Sequence, residues 1–190
     1  MMKKYSFDIV VDGKKITTDD DLFDVSDALY DAGCSDAHPA AYNGTLYVNF
    51  TRNSESYAKA VMSAISDIES VSGLVCLSVD IGDVVSLSDA AELASTTKAT
   101  LSRYSKGSRG KGDFPTPILR VSSNRPLWAW SDIAEWLAKN NVIDNELVEQ
   151  ARITGSINTA LSIRNTNSMD TVSHFLDKLN TNHAVVTVTA

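Results

Sequence analysis

The sequence contains little cysteine and no long apolar run. Only two of its 190 residues are cysteine, Cys34 and Cys76, so a disulfide framework is excluded and a reducing compartment is expected. Apolar stretches such as 74–77 and 184–186 fall far short of the roughly 20 residues that span a bilayer. The first residues lead into a polar, alternating segment rather than the apolar core of a signal peptide. We therefore expect a cytoplasmic protein without a membrane partner.

The motifs of common enzymes and metal sites are missing too. No phosphate-binding loop, nucleophile elbow or paired histidine motif occurs. The glycines near residue 110 follow a predicted helix, whereas a dinucleotide fingerprint follows a strand. Cys34 and His38 offer two ligands where a zinc site needs three or four. We expect no catalytic residue, no metal and no cofactor.

Positive charge is scarce overall but concentrated in one segment. The formal net charge is −7, from 17 basic and 24 acidic residues. Residues 1–81 hold six basic and 13 acidic residues, whereas residues 95–125 hold seven basic residues and one acid, Asp113. Local clustering matters more for phosphate binding than the total, so the negative net charge does not exclude a nucleic-acid ligand.

The first 82 residues show alternating strand and helix patterns. Residues 5–12 and 74–81 are aromatic or β-branched, and an Asn43-Gly44 turn divides 40–42 from 45–51. Apolar residues recur at helical spacing in 21–32, before Gly33, and in a second helix that Ser54 can cap. The resulting order, β-α-β-β-α-β, predicts a ferredoxin-like domain over residues 1–82.

Such a domain has many uses, of which RNA binding is one. Residues 44–50 resemble the RNP1 motif of RNA-recognition domains at Gly44, Tyr47, Val48 and Phe50. The motif's leading basic residue is replaced by Asn43, and acidic residues of the first strand would repel phosphate. These features favour a dimerising or regulatory module that binds a protein partner or a small ligand.

Two short helices are predicted over residues 83–105. Ser86 or Ser88 can cap the first helix, which carries an apolar stripe from Val84 to Ala94. After a short break, Thr97 can cap a second helix, whose outer surface carries Lys98 and Arg103 among small polar residues. Two short helices joined by a tight turn are typical of a helix-turn-helix, whose second helix enters the DNA major groove.

A basic loop, a ribbon and a third helix follow. Residues 106–113 form a loop with three glycines, which should make it flexible. Residues 118–121 and 125–130 alternate in polarity around a turn, which predicts a two-stranded ribbon. Ser131 can cap the third helix. Together these elements predict a winged helix over residues 83–140, with three tryptophans, 128, 130 and 136, as core.

Four motifs in this region resemble the winged helix-turn-helix of phage excisionases and AlpA-type regulators, which is distantly shared with the MerR group. They are S-x-A-A-E-L at 88–93, T-K-A-T-L-S-R-Y at 97–104, G-D-F-P-T-P at 112–117 and W-x-W-S-D-I-A-E-W-L at 128–137. The resemblance implies that 97–103 enters the major groove and that 122–125 contacts the backbone or minor groove. The chain departs from the family at Ser95, usually glycine, and at Thr96, usually apolar.

These observations define the candidate DNA contacts: Thr97, Lys98, Thr100, Ser102, Arg103, Lys106, Arg109, Lys111, Asn124 and Arg125. Residues 141–190 predict a helical region for packing or dimerisation, with a helix over 145–164 interrupted at Gly155. A further helix capped by Ser168 and a final strand over 184–189 complete this region. A homodimer is expected, since two half-sites multiply specificity.

The sequence thus predicts an α+β protein whose three parts are a ferredoxin-like domain, a winged helix-turn-helix and C-terminal helices. The expected function is sequence-specific binding of double-stranded DNA as a bacterial or phage transcriptional repressor or autoregulator. One alternative is an architectural directionality factor that bends DNA for a recombinase. The other is a non-catalytic protein adaptor, whose basic ribbon meets an acidic partner.

Overall fold

The computed structural model describes residues 1–80 and 82–187. Helices and a small antiparallel sheet give the expected α+β composition. Within the described residues, no helix combines the length and apolarity needed to cross a membrane. The strands are β1 (Lys3–Asp12), β2 (Ala37–Tyr42), β3 (Thr45–Ser54), β4 (Val75–Asp80), β5 (Val84–Val85) and β6 (Trp128–Ala129). The helices are α1 (Asp19–Asp31), α2 (Tyr57–Ser70), α3 (Leu87–Leu93), α4 (Lys98–Ser105), α5 (Trp130–Lys139), α6 (Asn145–Asn165) and α7 (Met169–Thr187).

The four long strands form one antiparallel sheet in the order β2-β3-β1-β4. Alternation along β1 buries Tyr5, Phe7, Ile9 and Val11 in the core on one face. Buried residues of α1 and α2 belong to that same core. The predicted Asn43-Gly44 hairpin is confirmed: both residues have positive φ, as a two-residue turn requires, and the two strands pair on either side of it.

A buried arginine in the core of the four-stranded sheet is paired with two carboxylates. Arg52 on β3 donates to Asp36 and to Asp67, each at 2.8 Å, and its guanidinium lies over the Phe50 ring. The hydrogen bonds from Arg52 hold the pKa of Asp36 below its usual value, and the two carboxylates raise the pKa of Arg52. This cation is therefore structural and is unavailable to a ligand.

Helix α6 joins the two hydrophobic cores. Its Leu161 belongs to the core of the sheet, whereas Val148 and Ala151 belong to a second core built on α3, α4 and α5. The predicted interruption at Gly155 is wrong, because α6 is continuous from 145 to 165. A Cβ at Gly155 would lie 3.5 Å from Cβ of Asp83, an ordinary van der Waals distance, so the helix runs through this position without requiring a glycine.

The same helix covers the outer edge of β4. The Asn158 side chain accepts from Val79 N–H at 2.7 Å and donates to Val79 C=O at 3.0 Å. Two turns further on, Asn165 donates to the carbonyl of Cys76. The edge strand thus finds side-chain partners in place of a fifth strand, which protects it from pairing with another chain. The Cys76 thiol lies beneath this edge, and burial raises its pKa to about 12.

The second core contains the three tryptophans, as predicted. Trp128, Trp130 and Trp136 are all buried, beside fully buried Leu101 and Leu137. The indole N–H groups of Trp128 and Trp136 donate to Pro115 C=O and to Asp113, both at 3.0 Å. The tryptophans therefore hold residues 113–115, which precede the wing (residues 118–127), against the core.

Three predicted helix or strand ends differ in the structure. Helix α5 begins at Trp130 and has Ala129 as its N-cap, so Ser131 is not a cap. Helix α2 is capped by Ser56 rather than by Ser54, which is part of β3. The strand predicted over 74–81 is β4, confined to 75–80, and Ile81 lies outside the described residues.

The predicted ribbon is reduced to a single bridge, between Leu119 and Leu127. Its second arm is divided because residues 128–129, which are β6, pair instead with β5. The predicted C-terminal strand is wrong over 184–187, which continue α7, and residues 188–190 lie outside the described part of the chain. The β4 edge that such a strand could have joined is already hydrogen-bonded to α6.

Candidate nucleic-acid interface

The first helix of the candidate interface, α3, is short and closely packed. Its N-cap is Ser86, one of the two predicted caps, and the Asp89 carboxylate accepts from the Ser86 N–H at 2.9 Å. Ala90 and Ala91 are buried against α4 and α5. Small side chains let neighbouring helices approach, and Leu101 of α4 is fully buried in this contact.

The turn between α3 and α4 depends on a left-handed residue. Ser95 has φ +48°, the conformation that glycine adopts without steric cost. The N–H of Thr96 returns to Ala91 C=O at 2.8 Å and the N–H of Ser95 to Glu92 C=O at 3.0 Å, which closes the end of α3. Ser95, where the sequence departs from the glycine of the excisionase-like pattern, is therefore a site of backbone strain.

Replacing Ser95 with glycine should stabilise the protein. A non-glycine residue in this region costs on the order of 1 kcal/mol, part of which glycine returns as entropy of the unfolded chain. We expect Ser95→Gly to raise the free energy of unfolding by about 0.5 kcal/mol, and Ser95→Val to lower it by about 1–2 kcal/mol. Urea unfolding measures both, with Ser122→Gly in the exposed wing as control. A lower midpoint for Ser95→Gly than for the native chain contradicts this account.

Helix α4 exposes one arc of side chains. At 100° per residue, Lys98, Ser102 and Ser105 lie on one side of the helix, and Arg103 is displaced outward from them. Arg103 is exposed and Ser102 is partly exposed. Leu101 and Tyr104 lie about 60° and 120° round the helix from Lys98, on the side away from Arg103, and pack into the second core. The exposed surface of α4 thus carries two cations, Lys98 and Arg103, with the small residue Ser102 between them.

Two of the predicted contacts, Thr97 and Thr100, bond to each other at the N-cap of α4. The Thr97 hydroxyl accepts from Thr100 N–H at 3.1 Å and lies 2.9 Å from the Thr100 hydroxyl. The predicted N-cap at Thr97 is therefore confirmed. Both hydroxyls are engaged at the start of α4, which leaves Lys98, Ser102 and Arg103 as the freer polar side chains of the helix.

A groove of about 580 Å³ separates α4 from the wing. Four basic residues contribute to its walls: Lys98, Lys106, Arg120 and Arg125. Asn124 and the α3 cap residue Ser86 complete it on the other sides, and no carboxylate is present among its described lining residues. Of the ten predicted contacts, the structure brings five to this groove: Lys98, Ser102, Lys106, Asn124 and Arg125. The other five, Thr97, Thr100, Arg103, Arg109 and Lys111, are not among its lining residues.

Arg120 is a cation that sequence reasoning counted in the basic block but did not select. It is the left-handed residue of the wing, with φ +53°, and its carbonyl accepts from both the N–H and the hydroxyl of Ser123 at 2.9 Å. Ser123 in turn accepts from Arg125 N–H at 3.1 Å. These bonds turn the chain so that Arg120 and Arg125 line the same groove. Spacing alone could not show this pairing, because it depends on the turn.

The basic loop between α4 and the wing is held at two points. The Arg109 guanidinium lies 5.1 Å from the centroid of the Tyr104 ring. A Cβ at Gly110, whose φ is +83°, would come within 3.1 Å of that ring. Further on, Asp113 accepts from the indole of Trp136. The flexibility predicted for this loop is thus restricted by ring contacts, although Lys106, Arg109 and Lys111 all remain exposed.

Cations inside and outside the basic block differ in their ion pairs. Outside 95–125, seven of them pair with carboxylates: Lys3, Lys14, Arg52, Lys59, Lys139, Arg152 and Arg164. Inside it, none of the seven basic residues has an ion pair among the described residues. The block's one acid, Asp113, is engaged by Trp136. This surface carries positive charge without internal compensation.

Neither the search for metal ligands nor the comparison with known proteins suggests another function. Among the described residues, no group of three or more histidine, cysteine or acidic side chains is placed to hold a metal ion. Cys34 is buried, and burial raises the pKa of its thiol. No family model, no curated protein and no solved structure matches the chain.

Proposed function

We propose that the protein binds double-stranded DNA in a sequence-specific manner and acts as a transcriptional regulator, a repressor or autoregulator of bacterial or phage origin. The observation that carries this proposal is the uncompensated basic block around the groove between α4 and the wing. Phosphate contacts dominate the affinity for DNA, and a protein makes them with cations that are not already paired. The protein is proposed to work without a catalytic residue or cofactor, in the cytoplasm.

The order of elements supports the finer fold assignment within this proposal. The strand order β2-β3-β1-β4 in a β-α-β-β-α-β segment is that of a ferredoxin-like domain. The order α3, turn, α4, wing, α5 is that of a winged helix. We assign the first to residues 1–82, as a regulatory or dimerising unit that takes a protein partner or small ligand. The second is assigned to 83–140, and residues 141–190 to helices for packing and dimerisation.

The proposed binding mode places α4 in the major groove and the wing on the backbone. Ser102 and Ala99 are small enough to let α4 approach base edges closely. Arg103 on the outer arc can reach a guanine, for which arginine is the commonest specific partner. Lys98 and the wing arginines face the groove, where a phosphate strand would run. The excisionase-like motifs are consistent with this arrangement.

DNA bending is a second candidate role, favoured by one specific observation. The wing carries exposed apolar side chains, Ile118, Leu119 and Val121, and the last is 65% exposed. Proteins that kink DNA insert such side chains between base steps from the minor groove. An architectural factor and a repressor would share the same basic surface. Circular-permutation gel shifts separate them, because only a bending protein changes mobility with site position.

The salt dependence of binding tests the proposal directly. We expect affinity for duplex DNA to fall steeply with salt, with a slope of log K against log salt near −4 if about four phosphates are neutralised. Fluorescence anisotropy with the DNA upstream of the protein's own gene supplies the measurement. A scrambled duplex of equal length is the control for sequence specificity. Absence of duplex binding at low salt would overturn the proposal and leave the adaptor role, which a search with acidic protein partners would then test.

A further inference from the structure

The last helix, α7, presents an apolar stripe that neither core covers. Met169, Phe175, Leu176 and Leu179 are all more than half exposed, with Leu179 at 60%. Among the described residues, neither hydrophobic core includes a side chain of α7. Among the described residues, its main contact with another element is with α6. A contiguous exposed apolar patch of this kind marks an interaction site.

Helix α7 is too weak to stand alone in water. Much of segment 169–181 consists of residues with low helix propensity, namely aspartate, threonine, valine, serine, histidine and asparagine. A helix of this composition is marginal in isolation, because most helical stability in proteins comes from packing of an apolar face. We therefore expect another surface to pack against the apolar stripe of α7.

The spacing of the stripe fits an identical helix. Met169, Val172, Leu176 and Leu179 follow one another at intervals of three, four and three residues. This is the a and d pattern of a coiled-coil seam, in which each side chain enters a hole on a facing helix with the same repeat.

The charges of α7 are arranged so that a second copy is not repelled. The positions that flank the seam hold Ser173, Phe175 and Asn180, which are uncharged, whereas Asp170, Asp177 and Lys178 lie further round the helix. Flanking charges normally choose the partner of a coiled coil. A neutral flank selects no oppositely charged partner and lets two acidic chains pair without like-charge contacts at the seam.

The turn before α7 fixes the direction in which the stripe is presented. Asn167 is left-handed, with φ +51°, and its N–H returns to Arg164 C=O at 3.2 Å. The N–H of Ser168 returns to Ile163 C=O at 3.1 Å, and the Ser168 hydroxyl lies 2.7 Å from that of Thr166. Helix α7 thus leaves α6 through a defined hydrogen-bonded turn, so its stripe is held in one place relative to the protein.

We propose that α7 pairs with α7 of a second copy of this chain, through the seam formed by Met169, Val172, Leu176 and Leu179. The proposal locates the dimer interface in the last helix rather than in the sheet domain. It is independent of DNA binding, because the seam is distant in sequence from the basic block and is tested without DNA.

Oligomeric state in solution tests the seam. Sedimentation velocity of the full chain should give twice the chain mass of 20.6 kDa. Leu176→Glu with Leu179→Glu should give a single chain mass, because each chain would bury two charges at the seam. Thr171→Glu with His174→Glu adds the same side chains outside the seam and should leave the dimer intact.

Circular dichroism and the urea midpoint show whether the seam variant is still folded. The far-UV circular dichroism of the Leu176→Glu, Leu179→Glu variant should lose helix equivalent to α7 alone, while the urea midpoint of the remaining protein is retained. A native chain that sediments as a monomer overturns the proposal and assigns the stripe to a different partner. A dimer that survives both seam substitutions also overturns it, since the interface must then lie elsewhere.

Discussion

Reversing two charges across the groove is expected to abolish specific DNA binding. In Lys98→Glu with Arg125→Glu, one cation is removed from α4 and one from the wing, and a carboxylate faces the phosphate strand in each place. Hydrogen bonds to charged groups contribute about 1.5–3 kcal/mol each, so the two losses together exceed about 3 kcal/mol, or roughly a hundredfold in affinity. Anisotropy titration against the same duplex measures the loss. The salt slope should become shallower by about two, one for each phosphate contact removed.

The matched control for this variant lies in the acidic part of the chain. Lys4→Glu with Lys15→Glu changes the net charge by the same amount, and neither lysine has an ion pair among the described residues. We expect this control to keep most of the native affinity, because the substitutions do not touch the groove. Equal losses in the two variants would mean that net charge, and not the groove, determines binding.

Replacing Asn158 should cause the largest loss of stability. Its side chain satisfies both the N–H and the C=O of Val79 on the edge strand, where both residues are buried. Leucine has a similar shape but no polar atoms, so Asn158→Leu leaves a buried donor and a buried acceptor without partners. Each such group costs about 1–3 kcal/mol, and we expect the free energy of unfolding to fall by about 2–5 kcal/mol.

Urea unfolding, followed by tryptophan fluorescence and by circular dichroism, measures this loss. Ser156→Ala, on the exposed face of the same helix, is the control and should change the free energy of unfolding by less than about 0.5 kcal/mol. The unpaired β4 edge also gives Asn158→Leu a tendency to aggregate, which light scattering would detect. A midpoint close to that of the native chain would show that water satisfies Val79, and that α6 does not seal the edge.

Local sequence signals accounted for the elements that depend on neighbouring residues. The Asn43-Gly44 turn and the Thr97 cap were predictable because their chemistry lies within a few residues of chain. The left-handed turn at Ser95 was visible as a departure from a family pattern. In contrast, the wing was predicted as a longer ribbon because alternation says nothing about which strand is the partner. Residues 128–129 alternate like their neighbours, yet pair with Val84 and Val85, more than 40 residues earlier.

The last two helices show the same limit at longer range. Gly155 reads as a helix break, but α6 is continuous through it and joins the two hydrophobic cores, a packing that no local pattern contains. Residues 184–187 read as a strand because they are apolar and alternate, yet they extend α7. Alternation can be satisfied by a sheet edge or by a helix face, and the choice depends on which surface is open. Here the β4 edge is closed by Asn158.

The amino-acid sequence by itself determined the order of strands and helices in the first 80 residues, the two short helices with their cap, and the clustering of cations between 95 and 125. These features follow from periodicity, turn chemistry and composition, which act over a few residues. Only the tertiary structure decided that Lys98, Arg120 and Arg125 share one groove, that the described part of the chain offers these cations no ion pair, and that α6 seals the sheet. Those outcomes depend on which distant surfaces meet, and burial is a property of the whole chain.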